Sequence, residues 1–442
     1  MRPIFRTVVF VALVALIASA AWRAAPASGA DAAAIAADLA KESRGKIQPI
    51  EDETGAMNAF YAQLSRSAAK LSGSVTRVAH FGDSTIEMDL TPGPMRRLMA
   101  ARFGDGGRGF VLMGRPKPWY RPYDVEFDPD STWISSDVKE NDVKDRRFGL
   151  GGAYLLAYKD KATTKVGTAK GGPTGESVSR FELLVPVRPD NGSFAVAIDG
   201  KSLGTVVATG ADAEGVAEFK LPDGKHTIEI TALTKDSRAY GVILGRDGPG
   251  VVWDALGVNG TGVPSWLSAN EDNWIAHLRH RNPDLIILAL GTNDTSPDLD
   301  LEAYKKQVAR LIERARKAVP SASILWQAPL DRATKSGGDL VTSPMLPKIV
   351  AAQREVAKQQ KAAFWSAYDA MGGNGSMARW YKAKPQLGAA DLFHPTREGG
   401  EVIAKMLYDA MMTDFAKYLQ KSGVAASARE AVASPLVKLS PN

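Results

Sequence analysis

The chain has 442 residues, 45% of them hydrophobic, so it is long enough for two domains and apolar enough to form a full core. It contains no cysteine, which excludes disulfides and a lipid-bearing N-terminal cysteine. The formal net charge is +6, and no basic stripe with interleaved aromatic residues occurs, so nothing indicates a nucleic-acid partner.

The first 30 residues have the pattern of a secretion signal. Arg2 and Arg6 precede an uncharged apolar run from Thr7 to Ala21, and Ala27 to Ala30 are small residues suited to cleavage. The run is short for a membrane-spanning helix, although an uncleaved anchor stays an alternative. Loss of residues 1–30 would leave 52 basic and 49 acidic residues, a net charge of +3. We expect a periplasmic or secreted protein without a stable membrane span once the signal is removed.

Residues 31–115 are predicted to be the first part of an α/β domain. Helical spacing of apolar residues occurs in Asp31 to Glu42 and Ala56 to Leu71, and Pro94 to Phe103 reads as a further helix. Between them, an apolar strand ends at the turn Gly82-Asp83-Ser84. The glycine-rich run Gly104 to Gly109 is interpreted as a tight loop, because a helix precedes it and no Lys-Ser/Thr pair follows.

Residues 116–245 have a different pattern, in which short alternating strands replace helical periodicity. The predicted strands are Phe181 to Val187, Ser193 to Ile198, Gly204 to Thr209, Val216 to Leu221 and Thr227 to Leu233. Asp199-Gly200 and Pro222-Asp223-Gly224 are turn sequences between them. This spacing predicts an antiparallel β-sandwich domain inserted into the α/β domain.

The α/β pattern resumes over residues 246–422. After an apolar run from Val251 to Val258, the predicted strands are Leu285 to Leu290, Ala322 to Trp326 and Ala363 to Tyr368. The predicted helices are Trp266 to Arg281, Leu301 to Val319, Leu346 to Lys361 and Glu398 to about Gln420. Strands that alternate with helices of this length predict a doubly wound parallel sheet. Residues 423–442 lack helical periodicity and are predicted to be a flexible tail.

Ser84 is the candidate nucleophile, because a buried strand, a sharp turn and a following helix are how parallel-sheet proteins present one. The tripeptide alone is a weak signal, since turns often contain these residues. Asp391 and His394 lie three residues apart at a helix entrance, where the carboxylate can hold the imidazole. The other histidines are interpreted as packing or surface residues: His80, His226, His277 and His280. Only the His277/His280 pair comes close to metal-ligand spacing, and a metal site needs more ligands than that, so no metal or cofactor is expected.

Four short blocks resemble, in order, those of the SGNH (GDSL-type) hydrolases. They are Phe81-Gly82-Asp83-Ser84, Val258-Asn259-Gly260, Gly291-Thr292-Asn293-Asp294 and Asp391-Leu392-Phe393-His394-Pro395. The resemblance implies ester hydrolysis with Ser84 as nucleophile, His394 as base and Asp391 as the acid that orients it. It also implies an oxyanion hole made by the backbone N–H groups of Ser84 and Gly260 and the Asn293 side chain. Without the resemblance, Asn293 reads as a cap of the helix after its strand.

A closer resemblance follows from the 209 residues that separate Ser84 from Asn293. Periplasmic peptidoglycan O-acetylesterases carry a carbohydrate-binding-module-like sandwich between these blocks, and the β-rich segment here accounts for the excess length. The runs Phe103 to Phe110 and Asp254 to Gly260 are also similar to that subgroup. Whether the insert binds sugar stays open.

The resemblance implies a serine esterase that removes O-acetyl groups from a bacterial polysaccharide, with peptidoglycan as the foremost candidate. With the signal pattern it predicts a secreted enzyme, and we expect a monomer. A polysaccharide O-acetyltransferase that uses the same triad is one alternative. A non-catalytic glycan-binding protein is another, although a decayed site should lack at least one of the five residues Ser84, Gly260, Asn293, Asp391 and His394.

Overall fold

The computed structural model describes residues 47–422 and 433–442. The predicted signal sequence and the predicted helix from Asp31 to Glu42 lie outside these ranges. Within them, no helix is both long and apolar enough to cross a membrane.

The helices and strands alternate in the first and last parts of the chain, whereas strands dominate the middle. The helices are α1 (Asn58–Ala68), α2 (Ser84–Glu87), α3 (Pro92–Phe103), α4 (Val263–Ser268), α5 (Glu271–Arg281), α6 (Leu301–Ala318), α7 (Leu346–Gln359), α8 (Ala367–Ala370), α9 (Ser376–Lys382) and α10 (Arg397–Ser422), with a 3₁₀ turn at Thr292–Asp294. The strands of the α/β part are β1 (Val75–Gly82), β14 (Gly250–Gly257), β15 (Leu285–Ala289), β16 (Ser323–Ala328) and β19 (Ala363–Ser366). The remaining strands are β2 (Gly109–Leu112), β3 (Val125–Pro129), β4 (Trp133–Asp137), β5 (Ala153–Ala157), β6 (Thr163–Thr168), β7 (Val178–Val187), β8 (Ser193–Ile198), β9 (Lys201–Val207), β10 (Ala213–Gly224), β11 (Thr227–Ala232), β12 (Arg238–Ala239), β13 (Gly241–Gly245), β17 (Ala333–Ser336), β18 (Asp339–Thr342) and β20 (Val437–Leu439).

The α/β part is built on one five-stranded sheet in which every pairing is parallel. Its order is β14-β1-β15-β16-β19, so the first strand in sequence lies between the second and the third. This is a doubly wound order with a switch point between β1 and β15, and ligands of such sheets bind at the carboxyl ends of the strands near that point. The predicted fold class is therefore confirmed.

Both faces of this sheet are covered, because alternate side chains of each strand enter different hydrophobic clusters. On one face, Val78 of β1 and Ile287 of β15 belong to a cluster that includes residues of α1, α3 and α10. On the other, Phe81 and Ile286 belong to a second cluster with residues of α5, α6 and α7. That burial explains why the strands read as continuous apolar runs rather than as alternating ones.

Between β1 and β14 the chain forms mainly antiparallel sheets. Two have five strands, in the orders β2-β13-β7-β10-β20 and β3-β6-β11-β8-β9, and a third joins β12, β5 and β4. Their inward side chains share a cluster with one face of the parallel sheet. Antiparallel strands therefore occupy the segment where the sequence predicts an insertion, although the domain boundaries stay a prediction.

The structure corrects three sequence expectations in detail. Antiparallel pairing begins at β2 rather than after Pro116, because Gly109–Leu112 pairs with β13. The predicted tail is wrong over its last residues, because β20 pairs in parallel with β10 and Asn442 exchanges backbone hydrogen bonds with Thr205. The predicted helix from Trp266 to Arg281 is two helices, interrupted at Ala269, where the backbone is extended.

The glycine-rich run after α3 is the tight loop that the sequence predicts. Gly107 and Gly109 have positive φ, and a β-carbon on Gly109 would lie 2.2 Å from Asp254 Oδ1. Beside this loop, Arg108 and Arg96 both pair with buried Asp89, at 3.1 Å and 2.9 Å. This buried ion-pair cluster joins α3 and the loop to the short segment that follows α2.

Candidate active site

Three of the four sequence blocks begin where neighbouring strands end together. Gly82, the last residue of β1, is in register with Gly257 of β14 on one side and with Ala289 of β15 on the other. Ser84, Gly260 and Asn293 follow these strand ends by two, three and four residues. They therefore lie at the same carboxyl edge of the sheet, next to its switch point.

Ser84 is the first residue of α2, directly after a strand that is fixed by aromatic packing. Phe81 is 1% exposed and lies 5.2 Å from the rings of both Trp266 and Trp274. Asp83 has extended backbone, and its carboxylate caps α2 by accepting the N–H of Thr85 at 3.0 Å. The turn therefore holds Ser84 rigidly at the end of the sheet.

Gly257 allows β14 to approach the Ser84 turn closely. A β-carbon at this position would lie 2.2 Å from the backbone nitrogen of Glu87 and 2.6 Å from the carbonyl oxygen of Asp83. The neighbouring residue continues the contact, since Val258 N–H donates to the carbonyl of Gly82 at 3.1 Å. The Ser84 turn and the Gly260 loop therefore pack against each other.

Asp391 and His394 lie in a compact turn before α10. One carboxylate oxygen of Asp391 accepts the backbone N–H groups of Phe393 and His394, at 3.1 Å and 3.0 Å. The other contacts His394 Nδ1 at 2.8 Å. Leu392, between them, has φ +68°, and the guanidinium of Arg332 lies 5.0 Å above the Phe393 ring. The turn fixes the acid and the imidazole as one unit.

The imidazole joins this unit to the serine, because His394 Nε2 lies 2.6 Å from Ser84 Oγ. Partial burial would raise the pKa of Asp391, but the hydrogen bonds from His394 and Phe393 outweigh it and lower that pKa. An ionised Asp391 can only accept, so Nδ1 carries the proton and Nε2 is free to accept the Ser84 hydroxyl. The structure thus places Ser84, His394 and Asp391 in one hydrogen-bonded chain.

Asn293 and Asp294 hold the loop that contains Gly260. The Asn293 carboxamide donates one N–H to the carbonyl of Thr261 at 3.0 Å, and its side chain is exposed. Asp294 accepts the N–H of Val263 at 3.3 Å, and burial raises its pKa to about 6. Gly260 itself has φ +73°, which favours glycine. A carboxamide has two N–H donors, so one remains for a substrate.

The other four histidines lie outside this chain of hydrogen bonds. Their partners are Trp253 for His80, Asp199 for His226, Glu214 for His277 and Glu182 for His280. In the part of the chain that the structure describes, no group of three or more His, Asp or Glu residues is arranged to hold a metal ion.

Sequence reasoning missed two residues beside the site, Glu87 and Trp119. Glu87 follows Ser84 by one helical turn, is 3% exposed, and accepts the indole N–H of Trp119 at 3.1 Å. Burial raises its pKa to about 7, although the hydrogen bonds from Trp119 and from the backbone of Asn259 oppose that rise. The i, i+3 spacing of Glu87 from the nucleophile was the one available signal.

Residues 229–402 match the family model of the GDSL-like lipases and acylhydrolases. This span contains Gly260, Asn293, Asp391 and His394, and the fold adds Ser84 to them from outside it. The predicted resemblance to this family is confirmed over these residues, and it indicates a carboxylic ester hydrolase. No curated protein sequence matches it.

Among solved structures, the chain is similar to a peptidoglycan O-acetylesterase, with 23% identity, a TM-score of 0.69, and coverage of 83% of this chain and 99% of that one. This likeness shows a shared fold. A family two carbohydrate esterase from Clostridium thermocellum is 11% identical over 68% of this chain and 99% of its own, with a TM-score of 0.27. An acetyl xylan esterase is 18% identical over 36% of this chain and 80% of its own, with a TM-score of 0.29.

Proposed function

We propose that this protein is an exported serine esterase that removes O-acetyl groups from a bacterial glycan, with peptidoglycan as its substrate. The observation that carries the proposal is the hydrogen-bonded chain Asp391–His394–Ser84 at the carboxyl edge of the sheet. An orienting acid, a base and a nucleophile that are hydrogen-bonded in this order catalyse acyl transfer through an acyl-serine.

In the proposed reaction, His394 Nε2 takes the hydroxyl proton as Ser84 Oγ attacks the acetyl carbonyl carbon. The negative charge develops on the carbonyl oxygen, which the backbone N–H groups of Ser84 and Gly260 and the free N–H of Asn293 are proposed to receive. Asp391 stabilises the imidazolium, which then returns the proton to the departing sugar oxygen. Water, deprotonated by the same imidazole, hydrolyses the acetyl-serine, releasing acetate and restoring Ser84.

The substrate class is supported by three features. Over 83% of its length the chain shares its fold with a protein described as a peptidoglycan O-acetylesterase. The predicted exported chain carries a net charge of +3, which favours an anionic polymer through weak, salt-screened attraction. The antiparallel sheets beside the site offer a surface that could hold an extended substrate and raise its effective concentration.

The test is acetate release by the purified full chain from O-acetylated peptidoglycan, together with turnover of aryl esters of increasing chain length. We expect acetate release from the polymer and a fall in kcat/KM from aryl acetate to butyrate, with little turnover of octanoate. In an enzyme built for long chains, each further buried methylene would add about 0.8 kcal/mol of binding instead. A rate that rises with chain length, or polymer without released acetate, refutes the proposal. Acetyl transfer to an added glycan that exceeds hydrolysis would indicate the acetyltransferase.

A further inference from the structure

Trp119 differs from the other tryptophans that the structure describes. Those seven are all buried, at 8% exposure or less, whereas Trp119 is 45% exposed. It lies in a turn that the hydrogen bond from Tyr120 N–H to the Lys117 carbonyl closes, and the preceding Pro116 and Pro118 restrict the backbone. The next residue, Tyr120, is buried at 6% exposure, and its hydroxyl accepts the N–H of Leu112 at 3.0 Å. An exposed indole is thus held on a rigid, anchored turn.

The residue that anchors the Trp119 indole lies on the same short helix as Ser84. Its indole N–H donates to Glu87 Oε2 at 3.1 Å, and Glu87 is one helical turn from Ser84. The same carboxylate accepts a backbone hydrogen bond from Asn259, the residue before Gly260. The polar edge of the indole is therefore fixed between two parts of the site, while nearly half of the side chain stays open to solvent.

Lys139 supplies a cation beside the same loop. A β-carbon placed on Gly260 would lie 3.3 Å from Lys139 Nζ, so the ammonium reaches the glycine of the proposed oxyanion hole. The backbone N–H of Lys139 is bound by Asp137 at 2.9 Å. Among residues 47–422 and 433–442, no carboxylate forms an ion pair with its ammonium. An unpaired cation beside an acyl-transfer site attracts a carboxylate of the substrate.

We propose that Trp119 and Lys139 form a sugar-binding wall of the active site, in which Trp119 stacks on a pyranose ring and Lys139 binds a carboxylate of the same glycan. The ligand is therefore an acidic polysaccharide, such as one that contains muramic acid. This inference rests on the proposed function and narrows its substrate class. Both residues come from the antiparallel region between α3 and β14, so that region selects the substrate for a nucleophile that it does not supply.

A purely structural role for Trp119 is less suitable. Covering the Glu87 carboxylate needs only the indole N–H, and a cover would bury its ring like the other seven indoles. An exposed aromatic face with its polar edge already bound is instead suited to the apolar face of a sugar, because stacking then costs no hydrogen bond and little side-chain entropy.

The first test compares two substrates in the full chain. For Trp119→Ala, we expect the ratio of kcat/KM on O-acetylated peptidoglycan to kcat/KM on aryl acetate to fall about tenfold, equivalent to ~1.4 kcal/mol. Trp119→Phe, which keeps a ring but loses the N–H, should retain most of the ratio. The control is Tyr158→Ala, because Tyr158 is an exposed aromatic of the same segment, at 55% exposure, and should leave the ratio unchanged. An unchanged ratio in Trp119→Ala overturns the inference while the esterase assignment stands.

The second test measures binding without turnover. The protein is titrated with two disaccharides that lack O-acetyl groups. One contains muramic acid and carries a carboxylate, and the other, chitobiose, carries none. Trp119→Ala should weaken both, whereas Lys139→Met should weaken only the first, by about threefold at low salt. The proposal is overturned if the unsubstituted protein binds neither disaccharide, or if Lys139→Met lowers the affinity for both equally. Trp119-dependent binding without acetate release from the polymer would instead refute the esterase proposal and retain the sugar site.

Discussion

The parallel sheet and the antiparallel sheets of this protein bury their strands differently. Every residue of β15 and β16 is buried, whereas β8 and β11 alternate between buried and half-buried residues. The parallel sheet is covered on both faces, and the proposed catalytic groups lie at its carboxyl edge. The antiparallel region has partly solvent-exposed faces. One of its turns places Trp119 near that edge. The first region fixes the reacting atoms, and the second can choose what reaches them.

Ser84→Ala has the largest expected effect, and it tests whether the parallel sheet supplies the reacting group. Loss of the nucleophile should lower kcat by at least about ten-thousand-fold on aryl acetate and on the glycan alike. The fold should persist, because Ser84 is small and its partners on α2 are backbone groups. The measurement is steady-state turnover of both substrates, with circular dichroism as the check on folding. The exposed Ser202→Ala on β9 is the matched control, and near-normal turnover of Ser84→Ala would contradict the assigned nucleophile.

Asn293→Ala has the next largest expected effect. Turnover should fall by about a hundred- to a thousandfold, the cost of one oxyanion donor. Loss of the hydrogen bond to Thr261 should cost only about 1 kcal/mol of stability, because the side chain is exposed. The residue is not a helix cap, since Gly291 occupies the cap position of the 3₁₀ turn and Asn293 lies within it. Turnover and melting temperature are measured on one preparation, and a large thermal shift with intact turnover would exclude the catalytic role.

The parallel region could be predicted well from the sequence because its signals are local. A strand buried on both faces is a continuous apolar run, and the turn that follows it contains glycine and polar residues. The predicted Leu285 to Leu290 corresponds to Leu285–Ala289, and the blocks around Ser84 and Asn293 follow their strands as expected. The four blocks in order predicted which distant side chains meet, even though Ser84 and His394 are 310 residues apart.

The antiparallel region was predicted less completely because its decisive contacts are not local. The edge strand β20 contains two exposed residues and no apolar alternation, and only its pairing with β10 makes it a strand. Trp119 reads as one more apolar residue in a proline-rich turn, since its exposure depends on how the segment folds back on Glu87. Lys139 likewise has no sequence pattern that places it at Gly260.

Glu87 lies where the two regions meet, and Glu87→Gln tests its role through the pH dependence of the free energy of unfolding. This is the smallest of the expected effects. Glu87 faces Trp119 and the backbone of Asn259, with Asp137 raising and Lys117 lowering its pKa, and burial is the dominant cause of the rise from 4.5 to about 7. The folded protein therefore binds this proton more tightly than the unfolded chain does. As the pH rises from about 4.5 to about 7, Glu87 lowers the free energy of unfolding by up to about 3 kcal/mol.

Glutamine resembles the protonated carboxyl and cannot ionise, so the variant should lack this loss. The difference in free energy of unfolding between Glu87→Gln and the unsubstituted protein should grow from about pH 5 to about pH 8, in favour of the variant. Denaturant unfolding at both pH values measures it, and subtraction cancels the other titrating groups. Glu229→Gln, on β11 and paired with Lys165 at 2.9 Å near the surface, is the control and should give the same difference at both. Parallel pH profiles of the variant and the unsubstituted protein would mean that Glu87 is ionised without cost. The indole of Trp119 would then be anchored to an ordinary carboxylate rather than to one that is strained by burial.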